Sequence, residues 1–322
     1  MNKDLRIVFM GTPEFAVASL AALYDASYHI VGVITTADKK AGRGKKITVS
    51  AVKQYALEKE IPVLTPLNLK DPDFLSALSD WKADLQVVVA FRMLPEIVWQ
   101  QPALGTFNLH ASLLPQYRGA APINHAIING ETESGVTTFF LDKEIDTGRI
   151  IAQKKCHISP DDNAGDLHDR LMDMGAGLVV ETVAAISNDT VVSKSQNETI
   201  VNQELKKAPK IFKNDGLIDW EQEAVYINNK IRGLSPYPAA WSVLKDMDSG
   251  KEYSIKIFAA KILEDNATEA GMISTDGKSF LRVHTKDKLI DIQDLQLQGK
   301  KRMKVDDLLR GFKSIERMRF VK

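Results

Sequence analysis

Arg6-Ile7-Val8-Phe9-Met10-Gly11-Thr12-Pro13-Glu14 decides the fold. The run from Arg6 to Met10 is apolar after its first residue and reads as a strand buried on both faces. Gly11 ends it. Thr12 then reads as a helix N-cap with Pro13 in the first turn, and apolar residues recur at helical spacing from Phe15 to Tyr24. Strands are expected again at 29–34, 61–64, 85–91 and 105–111, with helices at 48–60, from Asp71 to Trp81 and after Pro95. Such alternation predicts a Rossmann-like parallel sheet with helices on both faces.

From Gly135 the texture changes. Val136–Leu141 and Ile150–Lys154 flank a turn holding Asp146, in the manner of a hairpin, and 163–187 reads as one long amphipathic helix. Residues 190–208 are polar and aperiodic and read as a linker. Beyond them, short β-like segments at 240–244, 254–261, 271–275, 279–284 and 288–297 predict a small closed or sandwich-like β domain. The expected organisation is a first domain over 1–189, a linker over 190–208 and a second domain over 209–322.

The chain has 322 residues, enough for two domains, and is 44% hydrophobic and 26% charged, as an ordinary globular protein is. A single cysteine, Cys156, excludes intrachain disulfides and Cys-rich zinc sites. The start, Met1-Asn2-Lys3-Asp4-Leu5, runs straight into a strand with no signal-peptide pattern. No apolar run is long enough to span a bilayer, so the cytoplasm is the expected location. Net charge is zero, yet residues 205–322 hold 23 Lys and Arg against 17 Asp and Glu, while residues 1–204 hold 19 against 25. A basic second half suits a polyanionic partner, and a solvated surface equally.

The chemistry sits in Asn108-Leu109-His110-Ala111-Ser112-Leu113-Leu114-Pro115-Gln116-Tyr117-Arg118-Gly119-Ala120-Ala121-Pro122. On an extended chain, residues i and i+2 share a face, so Asn108 and His110 aim at one point. Asp146, in Asp146-Thr147-Gly148, can orient an imidazole and favour its charged form. An amide donor, a ring and a carboxylate suffice for acyl transfer to an amine: the donor stabilises charge on the acyl oxygen, and the ring or acid takes the amine proton. No metal is required. Each residue also has an ordinary role, as turn cap, structural histidine or turn former, and spacing alone leaves both readings open.

The segment from Asn108 to Ile123 resembles the signature of the 10-formyltetrahydrofolate-dependent formyltransferases, and Asp142–Gly148 resembles their Asp-containing loop. Met10-Gly11-Thr12-Pro13-Glu14-Phe15, Ala41-Gly42-Arg43-Gly44-Lys45-Lys46, Arg232-Gly233-Leu234-Ser235-Pro236-Tyr237-Pro238 and Leu297-Gln298-Gly299-Lys300-Lys301-Arg302-Met303 are similar to those members that formylate methionyl-initiator tRNA. The resemblance spans essentially the whole chain. It implies an α/β protein with an N-terminal formyltransferase domain and a C-terminal small, OB-like β-barrel. It implies a monomer that uses 10-formyltetrahydrofolate as formyl donor, with Asn108, His110 and Asp146 catalytic. Folate contacts are implied for Ser112, Leu113, Leu114 and Pro115, and for the segment holding Phe91, Met93 and Leu94. That segment departs from the commoner pattern, because Phe91-Arg92 stands where many members have Tyr-Gly. Arg92 can reach the folate's glutamate tail or point to solvent.

On the RNA side, the resemblance places the loop of Arg43, Lys45 and Lys46 in the tRNA acceptor stem. Further basic runs, Lys206, Lys207, Lys210 and Lys213, and Lys300, Lys301, Arg302 and Lys304, suit a phosphate backbone. Rival readings are a formyltransferase acting on glycinamide ribonucleotide or an amino-sugar nucleotide, and a non-catalytic RNA-binding protein. A dinucleotide-dependent oxidoreductase is disfavoured because the first strand–helix turn has one glycine where its fingerprint has three.

Overall fold

The computed structural model describes residues 4–41, 46–199, 204–312 and 315–321. Arg43 and Lys45 lie outside the described residues, and of Lys46 only the backbone is described. Two compact units form. The first comprises the chain up to Gly119, Glu133–His157 and His168–Lys207; the second comprises Ala120–Thr132, Ile158–Leu167 and Ala208–Lys322.

In the first unit, β1 (Arg6–Gly11) leads to α1 (Glu14–Asp25), β2 (His29–Ile34), the short strands β3 (Lys39–Ala41) and β4 (Lys46–Thr48), α2 (Ala51–Glu58) and β5 (Val63–Leu64). Then come α3 (Pro72–Asp80), β6 (Leu85–Val89), α4 (Glu96–Trp99), β7 (Thr106–His110), β8 (Arg118–Gly119), α5 (Pro122–Ile128), which belongs to the second unit, β9 (Glu133–Phe140), β10 (Ile150–His157) and α6 (Ala164–Ser187), whose residues up to Leu167 are also counted with the second unit. The main sheet runs β10-β9-β7-β6-β1-β2-β5. Five strands are parallel, and the β9–β10 hairpin extends them antiparallel through β7.

Local signals explain most boundaries. Ser50 caps α2 by accepting from the Lys53 N–H at 3.1 Å, and Asp71 caps α3 from the Asp73 N–H at 2.9 Å. The expected Thr12 cap is different: the N-cap residue of α1 is Pro13, with no side-chain cap. The turn after β1 is one residue longer than a Thr cap would make it, and the Thr12 carbonyl instead accepts from Val52 at 3.5 Å.

The sheet's two faces bury different partners. Val8, Met10 and Val88 pack against Phe74 and Leu78 of α3 and Val98 of α4. Leu109, on the opposite face, packs toward Gly175 of α6. Because side chains alternate along β7, fixing Leu109 toward α6 directs Asn108 and His110 to the other face. They lie there at the carboxyl ends of the parallel strands, where open α/β sheets hold ligands.

In the second unit, after β11 (Lys207–Ala208), α7 (Ala224–Leu234) precedes β12 (Ala240–Asp246), β13 (Glu252–Asn266), β14 (Ile273–Thr275), β15 (Leu281–His284), β16 (Lys288–Leu297), β17 (Met303–Lys304), α8 (Val305–Gly311) and β18 (Met318–Val321). The strand path is β14-β15-β16-β13-β12-β18, antiparallel throughout, with β17 added to β16. Its two ends nearly meet: Phe320 N–H donates to the Gly271 carbonyl at 2.9 Å, so the sheet is a nearly closed barrel. Ile255, Ile257, Ile290 and Ile292 point inward, and the Trp220 and Phe320 rings meet at a tilt with 5.0 Å between ring centres. Residues 120–132 join this unit because α5 lies on α7, with the Asn124 amide donating to the Gly233 carbonyl at 2.7 Å. No helix among the described residues is long and apolar enough to cross a membrane.

His284 gives the barrel a pH dependence. Its Nδ1 accepts from the Thr268 N–H at 3.0 Å and Nε2 lies 2.9 Å from the Ser274 hydroxyl. Burial lowers its pKa. The folded state therefore binds this proton less well than the unfolded chain, and stability falls as pH drops below the unfolded value of about 6.5. We expect the barrel's melting temperature to fall as pH drops below about 6.5 and the fall to flatten in His284→Gln. Equal slopes for both proteins would count against this origin.

Candidate active site

Asn108 and His110 sit side by side on β7. Asn108 is half-buried, and its amide makes no hydrogen bond among the described residues. A partly buried amide with unfilled donors is suited to an incoming carbonyl. His110 is buried: Nε2 lies 2.9 Å from the Tyr117 carbonyl, and the ring meets Phe139 edge-on at 6.5 Å. A carbonyl only accepts, so Nε2 carries the ring proton. Nδ1 is then the basic nitrogen, and it faces Asp146 Oδ2 at 3.9 Å.

That separation exceeds a direct hydrogen bond. It leaves Nδ1 able to take a proton from a third group while the carboxylate stabilises the resulting charge. Asp146 is held by backbone: its φ is +56°, and Oδ2 accepts from the Gly119 N–H at 2.9 Å. Tyr117, also at positive φ (+60°), turns its carbonyl to His110.

The expected folate segments are partly buried and partly exposed. Ser112, Leu114 and Pro115 are buried; Ser112 Oγ donates to the Gln116 carbonyl at 2.6 Å, and Gln153 Nε2 donates to the Leu114 carbonyl at 2.9 Å. Leu113 is half-buried. Phe91 is half-buried, Leu94 buried and Met93 exposed. A shallow depression is lined by Leu67, Asn68, Leu69, Arg92, Met93 and Leu94. The exposed Arg92 guanidinium donates to the carbonyls of Pro66 and Leu67, and so ties the two walls of this depression together.

Lys206, Lys207, Lys210 and Lys213 are all exposed, with Lys210 over Phe212 and Lys213 over Trp241. In the third run, Arg302 and Lys304 pair with Asp294 at 2.8 and 3.5 Å, while Lys300 and Lys301 stand exposed.

A buried residue that no spacing pointed to also enters the site. Gln196 donates from Nε2 to the carbonyls of Asp146 and Gly148, both at 2.9 Å. Its Oε1 accepts from Arg118 Nε and Nη2 at 3.0 and 2.6 Å. It lies in a polar, aperiodic stretch, where sequence carries no signal for it.

An open parallel sheet presenting an amide, an imidazole and a carboxylate at its carboxyl edge, joined to a nearly closed barrel, defines a class of group-transfer protein. The formyl transferase family model matches residues 5–183, and the model of that family's C-terminal domain matches residues 210–313. The methionyl-tRNA formyltransferase of Bacteroides fragilis is 57% identical over 97% of this chain and 96% of its own length. That of Flavobacterium johnsoniae is 54% identical over 96% of each. Among solved structures, a sugar 3N-formyl transferase with dTDP and 5-N-formyl-THF aligns with a TM-score of 0.63 at 21% identity, over 92% of this chain and 99% of that one. HypX from Aquifex aeolicus with tetrahydrofolic acid aligns at 0.60 and 20% identity, over 97% of this chain and 47% of that one. At these identities the two structures share the fold. The chain belongs to the formyl transferase family and, within it, to the methionyl-tRNA formyltransferases.

Proposed function

We propose that this protein transfers a formyl group from 10-formyltetrahydrofolate to the α-amino group of methionyl-initiator tRNA, for translation initiation in the cytoplasm. The observation that carries the proposal is the half-buried Asn108 amide, without a hydrogen bond among the described residues, beside the His110–Asp146 pair, in a chain 57% identical to a methionyl-tRNA formyltransferase. A bond forms between the amino nitrogen and the formyl carbon, and the bond from that carbon to the folate nitrogen breaks. Asn108 donates to the formyl oxygen as charge develops there. His110 accepts the amine proton at Nδ1, with Asp146 balancing the ring's charge, and the folate nitrogen gains a proton as it leaves.

The depression beside Leu94, with apolar walls and the Arg92 guanidinium at its rim, has chemistry that fits a flat heteroaromatic donor. Met93 and Leu94 line it, and Phe91, Ser112, Leu113, Leu114 and Pro115 are the further residues the folate would meet. For the acceptor, Arg43, Lys45 and Lys46 contact the acceptor stem, and Lys206, Lys207 and Lys210 follow the backbone.

A side-by-side assay with Met-tRNA, glycinamide ribonucleotide and an amino-sugar nucleotide should show formylation of Met-tRNA alone. Turnover of either small acceptor at a comparable rate would overturn the acceptor assignment. Arg43→Ala should raise KM for tRNA by about tenfold, the effect of losing roughly 1.4 kcal/mol of binding, with folate KM unchanged. An unaltered tRNA KM and rate would remove Arg43 from the interface.

A further inference from the structure

We infer that Gln196 is a positioning residue for formyl transfer, acting on Asp146 from the segment that leads toward the second unit; the inference rests on the function proposed above. Gln196 is 2% exposed. Its amide is occupied on both sides, by the Asp146 and Gly148 carbonyls at Nε2 and by the Arg118 guanidinium at Oε1. The bonds to Asp146 and Gly148 flank the positive-φ turn that aims the carboxylate at His110. Arg118 in turn adjoins Gly119, whose N–H holds Asp146 Oδ2. Gln196 thus links backbone and side-chain control of one catalytic group.

The same segment reaches the other member of the pair. Tyr117, whose carbonyl meets His110 Nε2, donates its N–H to the Lys206 carbonyl at 2.7 Å. The Gln116 side chain donates to the Glu204 carbonyl at 3.2 Å and accepts from the Lys206 N–H at 2.9 Å. Residues 196 and 204–206 therefore brace both His110 and Asp146. Lys206 and Lys207, exposed on this brace, are the residues expected to meet tRNA phosphates. Acceptor contact and alignment of the catalytic pair share one stretch of chain.

The test is single-turnover formylation of Met-tRNA by the full chain. Gln196→Ala should lower the rate at saturating substrates on the order of 10²-fold, as misplacing a catalytic group by about 1 Å does, with folate Kd and tRNA KM within about twofold. Gln196→Glu keeps the shape and the Arg118 contact but sets a carboxylate against two carbonyls. It should lose a similar factor, and it carries the reading if the alanine variant does not fold. In an Asp146→Ala background, Gln196→Ala should change the rate less than about twofold, because both act through one group. Full losses that multiply in the double variant, or a Gln196 effect confined to KM, would overturn the inference. A wild-type protein unable to formylate Met-tRNA would instead defeat the acceptor reading, a different outcome from active wild type with unaffected Gln196 variants.

Discussion

Asn108→Ala is expected to lower the rate of formyl transfer by about 10²–10³-fold, the loss found when one pre-placed donor to a developing oxyanion is removed. The expectation follows from the bonds that Asn108 does not make. Its neighbours are the sheet partners Val88 and Phe139, and its amide is engaged by nothing among the described residues. Truncation therefore leaves no buried group unpaired and opens little space, so the melting temperature should move by no more than about 2–4 °C, the shift that 1 kcal/mol makes in a domain of this size. KM for both substrates should change little, because the bond matters only once charge has built up on the formyl oxygen. A rate within tenfold of wild type in single-turnover measurements would remove Asn108 from the reacting centre. A large fall in melting temperature would show that the residue serves the sheet instead.

His110 and Asn108 were legible as neighbours on one face of β7, because the alternation of side chains along a strand is a local rule. The parallel order was legible for the same reason, since each buried strand is followed by a helical repeat. Asp146 was legible as a residue type in a turn, but not as a partner at 3.9 Å, because that distance depends on a positive φ and on Gly119, 27 residues away. Gln196 was invisible, since an amide in a polar stretch acquires meaning only from carbonyls 48 and 50 residues distant. The inclusion of 120–132 in the second unit was hidden in the same way. It rests on α5 meeting α7, a contact that neither helix's own periodicity specifies.

Gly148→Ala is expected to disable transfer although it alters none of Asn108, His110 and Asp146 chemically. A Cβ on Gly148 would lie 1.7 Å from the Phe140 carbonyl oxygen and 2.9 Å from its carbon. Both are backbone atoms of β9, so no rotamer change relieves the contact, and the hairpin end must move. The Gly148 carbonyl is one of the two that Gln196 holds, and Asp146 is two residues away. A shift that clears the clash therefore also draws the carboxylate from its place beside His110 and from the Gly119 N–H. A displacement of about 1 Å suffices for a rate loss on the order of 10²-fold. Overpacking of this kind costs about 1–3 kcal/mol, so melting should fall by several degrees, and amide exchange should quicken across 140–150 while β1, β2 and β6 stay protected. Asp146→Ala should match the rate loss while leaving amide exchange across β9 slow, since it removes the charge and introduces no backbone clash in the hairpin. If Gly148→Ala transferred formyl groups at the wild-type rate, the carboxylate's position would not govern the reaction, and the role given to the His110–Asp146 pair would fall with it.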